Sequence, residues 1–189
     1  MATGISKAPE LLEPAGVQSI LIDAPQLQKR VAELGVEITR FYAPEPLTLL
    51  CMLKGAIPFT ADLMRSIQLP LRLECLRVAS YGDGVVSSGA PEIRGNFEID
   101  FAGRDVLIVD DILDTGATLK STVDLLRAQG CSSIRTCVLL DKKSRRTVAI
   151  EADFVGFTIP NHFVVGYGLD FAEEYRNLPY IGVAIEKHG

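Results

Sequence analysis

The sequence predicts an α/β domain built on a parallel sheet that is flanked by helices. Short apolar runs of strand length alternate along the chain with segments in which apolar residues recur every three or four positions. In residues 106–140 a strand, a helix and a second strand follow one another directly. A helical connection of this kind joins two parallel strands through a right-handed crossover.

One folded domain is expected. The chain has 189 residues, of which 48% are hydrophobic, and this is enough to bury one sizeable core. Residues 1–16 are interrupted by Pro9, Pro14 and Gly16 and are expected to form a mobile lead-in. The domain is accordingly assigned to residues 17–189.

The domain is predicted to begin with a helix, a strand and a second helix. In residues 25–42 apolar side chains recur at spacings of four and three, which predicts an amphipathic helix opened by a proline. Residues 47–53 form a continuous apolar run that predicts a buried strand, and helical spacing resumes over 57–67. The pair Lys54-Gly55 lies in the loop between them.

The later elements are shorter. Residues 71–79 predict another strand, and the following glycine- and serine-rich residues 82–104 predict a mobile loop with a hairpin arm at 92–101. We then expect a strand at 106–109, a helix at 115–129, and strands at 133–140, 154–159, 163–165 and 180–184.

The charge and the cysteine content of the chain exclude some classes of function and indicate a cellular compartment. The net charge is −5 with no long run of lysine or arginine, so the chain is not expected to bind a nucleic-acid backbone. The four cysteines lack paired C-x-x-C spacing and are expected to be small buried side chains in a reducing cytoplasm. No secretory signal and no run of about 20 apolar residues is present, so a cytoplasmic protein is expected.

The most informative stretch is the predicted strand that leads into Asp110 and Asp111 and then into a turn of small residues. Backbone N–H groups at the start of the following helix can bind a phosphate, with the Thr115 and Thr118 hydroxyls beside them and Gly116 allowing close approach. Two adjacent acids that point to opposite sides of an extended chain suit two ribose hydroxyls, directly or through a hydrated Mg²⁺. The alternative is that these acids only cap the helix.

This stretch resembles the phosphoribosyl pyrophosphate (PRPP) motif of the phosphoribosyltransferases, an apolar strand followed by two acids and Asp-[Ser/Thr]-Gly-x-Thr. The resemblance implies a type I phosphoribosyltransferase fold with a small hood and a flexible closing loop. The family often has Glu-Asp where this chain has two aspartates, which keeps the charge and shortens one side chain. The implied PRPP contacts are Asp110 and Asp111 for the ribose, and Asp114, Thr115, Gly116, Ala117 and Thr118 for the 5′-phosphate.

Further motifs narrow the resemblance to the hypoxanthine-guanine phosphoribosyltransferases over residues 17–186. Leu53-Lys54-Gly55 is similar to their pyrophosphate loop, in which the first peptide can be cis, and Ser80-Tyr81 is similar to the start of their closing loop. Lys142, the string 163–170 and Arg176 match the same group in order.

The resemblance also implies how the base and the metal are held. Phe163 would stack on a purine, and Lys142 would donate to its O6, which favours a 6-oxo over a 6-amino base. The backbone at Val164 and Asp170 would meet the remaining base edge. Asp114 is the expected general base for the purine N7 proton. The implied Mg²⁺ contacts are Asp110, Asp111 and Asp170, and the implied pyrophosphate contacts are Lys54, Gly55 and Arg176.

Simpler interpretations exist for single residues, and two rival functions remain. Taken alone, Lys142 would be a solvated basic residue, Phe163 a core residue, and Arg176 the partner of Glu173 or Glu174 in a surface ion pair. Adenine, uracil or xanthine could be the acceptor base on the same scaffold, or the fold could serve as a regulator that senses PRPP or binds nucleic acid. A homodimer or homotetramer is implied by the resemblance alone.

Overall fold

The computed structural model describes residues 16–77 and 97–185. The elements are β1 (Val17–Ile22), α1 (Ala24–Tyr42), β2 (Leu47–Leu53), α2 (Ile57–Ser66), β3 (Leu71–Arg77), β4 (Asp105–Leu113), α3 (Ala117–Ala128), β5 (Ser133–Asp141), a 3₁₀ turn (Lys143–Arg145), β6 (Phe154–Thr158), β7 (Val164–Val165) and β8 (Ile181–Ala184).

The main sheet has five parallel strands in the order β3-β2-β4-β5-β6, which confirms the predicted architecture. The central strands β2, β4 and β5 are almost continuously buried, as expected for strands covered on both faces. Because all five strands run in the same direction, their carboxyl ends meet at one edge of the sheet. Ligands of open parallel sheets bind at this edge.

The predicted helix at the start of the domain is confirmed as α1, and its sequence explains where it begins. Asp23 and Gln26 form a capping box, with a proline in the first turn. The face carrying Leu27, Val31 and Leu34 is buried in the core, where α1 packs against α2. This packing covers one face of the sheet and leaves the carboxyl edge open.

Strand β4 continues four residues beyond its predicted end at residue 109. Its pairing with β5 carries on through Asp110 opposite Val138 and Ile112 opposite Leu140. Aspartate is uncommon in strands because its intrinsic β-propensity is low, but here the buried neighbouring strand β5 supplies the hydrogen-bonding partners. The two acids therefore lie within the end of the strand rather than beyond it.

A second sheet, antiparallel and ordered β1-β8-β7, forms the small additional unit expected beside the main sheet. Strand β1 was not predicted. Three of its six residues are exposed and its register with β8 is irregular, so it shows neither a continuous apolar run nor strict alternation. Its pairing depends on a partner at the other end of the chain.

Some predictions fall on residues that the structure does not describe. Ser80 and Tyr81 of the expected closing loop lie outside the described residues, as do 1–15 of the lead-in and the first half of the expected hairpin at 92–101. Within the described part of the chain, no helix is both long and apolar enough to cross a membrane.

Candidate active site

The candidate site lies at the carboxyl edge of the main sheet, where the loop after β2 touches the end of β4. Gly55, in the loop after β2, packs directly against Asp111: a β-carbon at Gly55 would lie 1.6 Å from Asp111 Oδ2. On its other side, a β-carbon at Gly168 would lie 2.0 Å from the Gly55 carbonyl oxygen. Only glycine fits between these neighbours, so the expected pyrophosphate loop is held against the acid pair. The Leu53–Lys54 peptide that opens this loop is cis.

A cleft of about 440 Å³ opens beside these loops. It brings together the expected general base, the expected base-binding residues and two of the expected metal contacts, which are far apart in the sequence. The other expected contacts that the structure describes lie outside its lining: Lys54, Gly55, Asp110, Thr115, Gly116, Ala117, Thr118 and Arg176. The lining consists of Asp111, Ile112, Asp114, Lys142, Arg145, Asn161, His162, Phe163, Val164, Leu169 and Asp170.

The carboxyl groups of Asp110 and Asp111 interact with each other. Asp110 Oδ1 accepts a hydrogen bond from the Asp111 N–H at 3.0 Å, which turns its side chain toward the next residue. Burial raises the pKa of both carboxyl groups, and the Asp111 charge raises that of Asp110 further. A bound cation, or hydroxyl groups that donate hydrogen bonds, would stabilise the charged form of these two carboxyl groups.

The acids do not cap α3. The N-cap is Gly116, with φ of 90°, and the side chain that accepts from the first N–H of α3 is the Thr115 hydroxyl, 3.4 Å from the Ala117 nitrogen. The interpretation of the acids as helix caps is therefore wrong, and α3 begins two residues later than predicted. The first N–H groups of a helix have no partner within it, so this end of α3 suits an anion.

Asp114 lies at the mouth of the cleft and is partly exposed. Its Oδ1 accepts a hydrogen bond from Arg145 Nε at 2.9 Å, across 31 positions of sequence. A side chain held from one direction keeps its second oxygen available to a ligand. This geometry is compatible with the expected role of Asp114 as a general base.

Lys142 follows β5 and is only 7% exposed, so its interpretation as a solvated basic residue is wrong. Its N–H donates to the Leu113 carbonyl at 3.0 Å, which ties the loop after β5 to the end of β4. Burial lowers the pKa of the Lys142 ammonium, with the Asp114 charge opposing this effect. A partly desolvated ammonium group forms stronger hydrogen bonds than one in water.

A buried ion pair between Arg146 and Asp141 stabilises the loop after β5. Arg146 donates to Asp141, whose side chain is 1% exposed, and also to the carbonyl oxygens of Leu113 and Asp114. One arginine therefore joins the ends of β4 and β5. This contact fixes the backbone on both sides of Asp114 and Lys142.

Phe163 is 41% exposed at the cleft, so its interpretation as a core residue is wrong. Its ring meets that of Phe171 edge to face, with centroids 5.4 Å apart and an interplanar angle of 82°. Phe171 can therefore restrict the orientation of the Phe163 ring. A half-exposed ring held at its edge offers a face for a flat ligand.

Beside the cleft, Glu173 joins the expected pyrophosphate contacts. Lys54 Nζ lies 3.0 Å from one carboxylate oxygen of Glu173, and Arg176 lies 3.2 Å from the same oxygen. Arg176 also pairs with Asp170 at 2.8 Å and donates to the Gly168 carbonyl. Lys54 and then Arg176 lower the pKa of the Glu173 carboxyl group. The ion pair weighed for Arg176 thus exists with Glu173, together with a second one to Asp170.

Sequence reasoning gave no role in the site to Arg145, Arg146, His162 and Phe171, and it considered Glu173 only as an ion-pair partner of Arg176. His162 is exposed but lines the cleft next to Phe163. Available signals were the basic run 142–146, which ends opposite the acids, and the acidic pair Glu173-Glu174 just before Arg176. The partners themselves required the fold.

No three histidine, cysteine, aspartate or glutamate side chains cluster closely enough to enclose a metal in the portion of the chain that is described. Mg²⁺ does not require such a cluster, because it commonly binds one or two carboxylates together with waters and phosphate oxygens. Asp111 and Asp170 line the same cleft and offer this type of donor.

Comparisons with known proteins agree with this geometry. Residues 17–172 match the phosphoribosyl transferase domain family. The hypoxanthine-guanine phosphoribosyltransferase of Bacillus subtilis is 48% identical over 88% of this chain and 93% of its own length. The bifunctional protein TilS/HprT of Listeria innocua is also 48% identical over 88% of this chain, which spans only 26% of that longer protein.

Among solved structures, a hypoxanthine phosphoribosyltransferase from Staphylococcus aureus superposes with a TM-score of 0.85. The two chains are 41% identical, and the match covers 90% of this chain and 92% of the other. The fold, the family match and these relatives agree, and the chain belongs to the phosphoribosyltransferase family, among the hypoxanthine-guanine phosphoribosyltransferases.

Proposed function

We propose that the protein transfers the 5-phosphoribosyl group of PRPP to N9 of hypoxanthine or guanine, giving IMP or GMP and pyrophosphate in purine salvage. The observation that carries the proposal is the single cleft that holds Asp114, Lys142 and Phe163 together. The first can take a proton, the second can donate to an exocyclic oxygen, and the third can stack on a flat base. The named relatives act on the same class of base.

PRPP would bind against the loop that carries Gly55 and the adjoining end of β4. Its 5′-phosphate would bind the start of α3, at Asp114, Thr115, Gly116, Ala117 and Thr118, and its ribose hydroxyls would meet Asp110 and Asp111. Lys54, Gly55 and Arg176 would hold the pyrophosphate. To do so, Lys54 and Arg176 would exchange their present carboxylate partner, Glu173, for phosphate oxygens. Arginine suits this task because its planar fork stays charged and matches two oxygens.

Mg²⁺ fits this site as a cofactor held by Asp170 and the Asp110-Asp111 pair together with PRPP oxygens, and when bound it neutralises charge on the departing pyrophosphate. The acid pair also stabilises positive charge that develops at C1′ of the ribose. Asp114 accepts the N7 proton while N9 bonds to C1′. Phe163 holds the base in plane for this attack, and excluding water prevents hydrolysis of PRPP.

The test of this function is turnover of purified protein with PRPP, Mg²⁺ and one of hypoxanthine, guanine, xanthine or adenine, followed by absorbance. Turnover of hypoxanthine or guanine is the expected result. Adenine as the sole substrate would contradict the role of Lys142. Binding of PRPP without turnover of any base would instead place the protein among PRPP-sensing regulators.

Replacing Lys142 with methionine is expected to reduce kcat/KM for hypoxanthine about 10- to 100-fold, because a hydrogen bond to a charged group contributes about 1.5–3 kcal/mol. Methionine keeps the unbranched chain up to the ε position and removes the ammonium donor. The ratio of hypoxanthine to adenine turnover should fall with it. The exposed neighbour Lys143, replaced in the same way, provides the control and should keep the wild-type ratio. Equal losses in the two variants would contradict the assignment.

Replacing Phe163 with alanine is expected to raise KM for the base about 5- to 100-fold with a smaller change in kcat, since aromatic stacking contributes about 1–3 kcal/mol per base. Phe41 is a matched control, because it is an exposed phenylalanine, 55% accessible, on α1. Steady-state kinetics with varied base at saturating PRPP separate the two parameters. An unchanged KM in the Phe163 variant would place the base elsewhere.

The same proposal includes a homodimer or homotetramer, a cytoplasmic location and a single phosphoribosyltransferase domain over residues 17–189. Family membership supports each of these. Sedimentation velocity on the purified protein measures the oligomer size directly, and a monomer at assay concentration would overturn that part.

A further inference from the structure

Two cysteines lie directly opposite each other on neighbouring strands, outside the cleft. Cys51 of β2 is in register with Cys75 of β3, the edge strand of the main sheet. Side chains at opposite positions of paired strands lie on the same face, and neighbouring strands are about 4.8 Å apart, within the Cα separation that a disulfide can bridge. The register therefore places the two thiols side by side.

The two thiols have unequal environments. Cys51 is 3% exposed, and the Thr60 hydroxyl on α2 lies 3.2 Å from its sulfur. Burial raises the pKa of the Cys51 thiol to about 11. Cys75 is exposed at the sheet edge, so the expectation of a buried side chain is wrong for this cysteine. A small oxidant in solution can therefore reach Cys75 first, with Cys51 next to it as a second thiol.

We propose that Cys51 and Cys75 form a reversible dithiol–disulfide pair that responds to peroxides and changes the activity of the protein. The Cys75 thiolate attacks one peroxide oxygen, which breaks the O–O bond and leaves a sulfenic acid on Cys75 and one hydroxide, protonated to water. The Cys51 sulfur then attacks the Cys75 sulfur and expels the second oxygen as water. The pair loses two electrons and two protons, and a dithiol reductant reverses the change.

The position of the pair connects it to the candidate site. Cys51 lies three residues before Lys54, and Thr60 lies beyond the other end of the same loop, with its N–H bonded to the Ala56 carbonyl at 2.8 Å. A disulfide would remove the Cys51 thiol from its contact with Thr60 and join the end of β2 covalently to the edge strand. The loop that carries Lys54 and Gly55 would then be held differently at both ends. This activity effect rests on the proposed function, whereas formation of the disulfide does not.

The first measurement is chemical. The full chain is treated with a small excess of hydrogen peroxide, blocked with N-ethylmaleimide, and mapped by peptide mass spectrometry. We expect a cross-linked peptide pair containing Cys51 and Cys75 that disappears after dithiothreitol treatment. It should be absent in Cys75→Ser and in Cys51→Ser, and present in Cys131→Ser, which removes a partly exposed cysteine elsewhere. Higher oxidation of Cys75 alone, or a bond between two chains, would overturn the proposal.

The second measurement is the activity of the same samples before oxidation, after oxidation and after reduction. We expect a several-fold reversible change in KM for PRPP in the wild-type protein and in Cys131→Ser, and no such change in Cys75→Ser. A disulfide that leaves the kinetics unaltered overturns the regulatory role. If the untreated protein turns over no base, the proposed function fails, and the peptide map still decides whether the two thiols pair.

Discussion

Replacing Asp141 with alanine is expected to lower the free energy of unfolding by about 3–5 kcal/mol, because it leaves the Arg146 cation buried without its counter-charge. The Asp141 side chain is 1% exposed and that of Arg146 is 11% exposed, so water cannot replace the lost partner fully. The two carbonyl oxygens that also accept from Arg146 offset part of the loss, which places the expected value toward the lower end. Urea unfolding followed by circular dichroism measures it.

Two further variants identify the cause of this loss. In Asp141→Leu combined with Arg146→Met both charges are gone, and such replacements of buried pairs are often neutral or stabilising, so most of the stability should return. Lys29→Ala breaks an exposed pair with Glu33 on α1 and should leave the unfolding midpoint nearly unchanged. A double variant less stable than Asp141→Ala would show that packing, rather than an unpaired charge, dominates.

Elements that form from local pattern and burial were predicted well. Strand β2 has the predicted bounds, and α1 and α2 each differ from prediction by one residue at one end. Continuous apolar runs and helical spacing are local properties, so they are visible in the sequence. The predictions failed where pairing between strands that are far apart in the sequence decides the structure. Strand β1 forms because it pairs with β8, and the end of β4 is extended because it pairs with β5.

The candidate site shows the same division. Asp114, Lys142, Phe163 and Asp170 were identified by motif order, and they line one cleft. The basic run 142–146 could not be divided by sequence alone, because its residues look equivalent. In the fold, Lys142 is buried, Arg145 reaches Asp114, and Arg146 reaches Asp141. Separations of 31 positions, as between Asp114 and Arg145, have no periodic signal that a sequence pattern can reveal.

Replacing Asp114 with asparagine is expected to lower kcat by about 10²- to 10⁴-fold, the range that a positioned general base contributes. Asparagine keeps the shape of the side chain, and its amide oxygen can still accept from Arg145 Nε, which lies 2.9 Å from Asp114 Oδ1. It cannot take a proton from the purine. The dissociation constant for PRPP, measured by calorimetry without base, should change much less than kcat.

A companion variant separates proton transfer from positioning. In Arg145→Gln the Asp114 carboxylate remains but loses its charged partner, so kcat should fall less than in Asp114→Asn. Asp114→Asn should therefore lose most of its kcat, while Arg145→Gln keeps a measurable part of it. A kcat of Asp114→Asn close to that of Arg145→Gln would assign the proton to another group. The choice then falls on the remaining acids of the cleft, Asp111 and Asp170, because they are its only other carboxylates among the residues described.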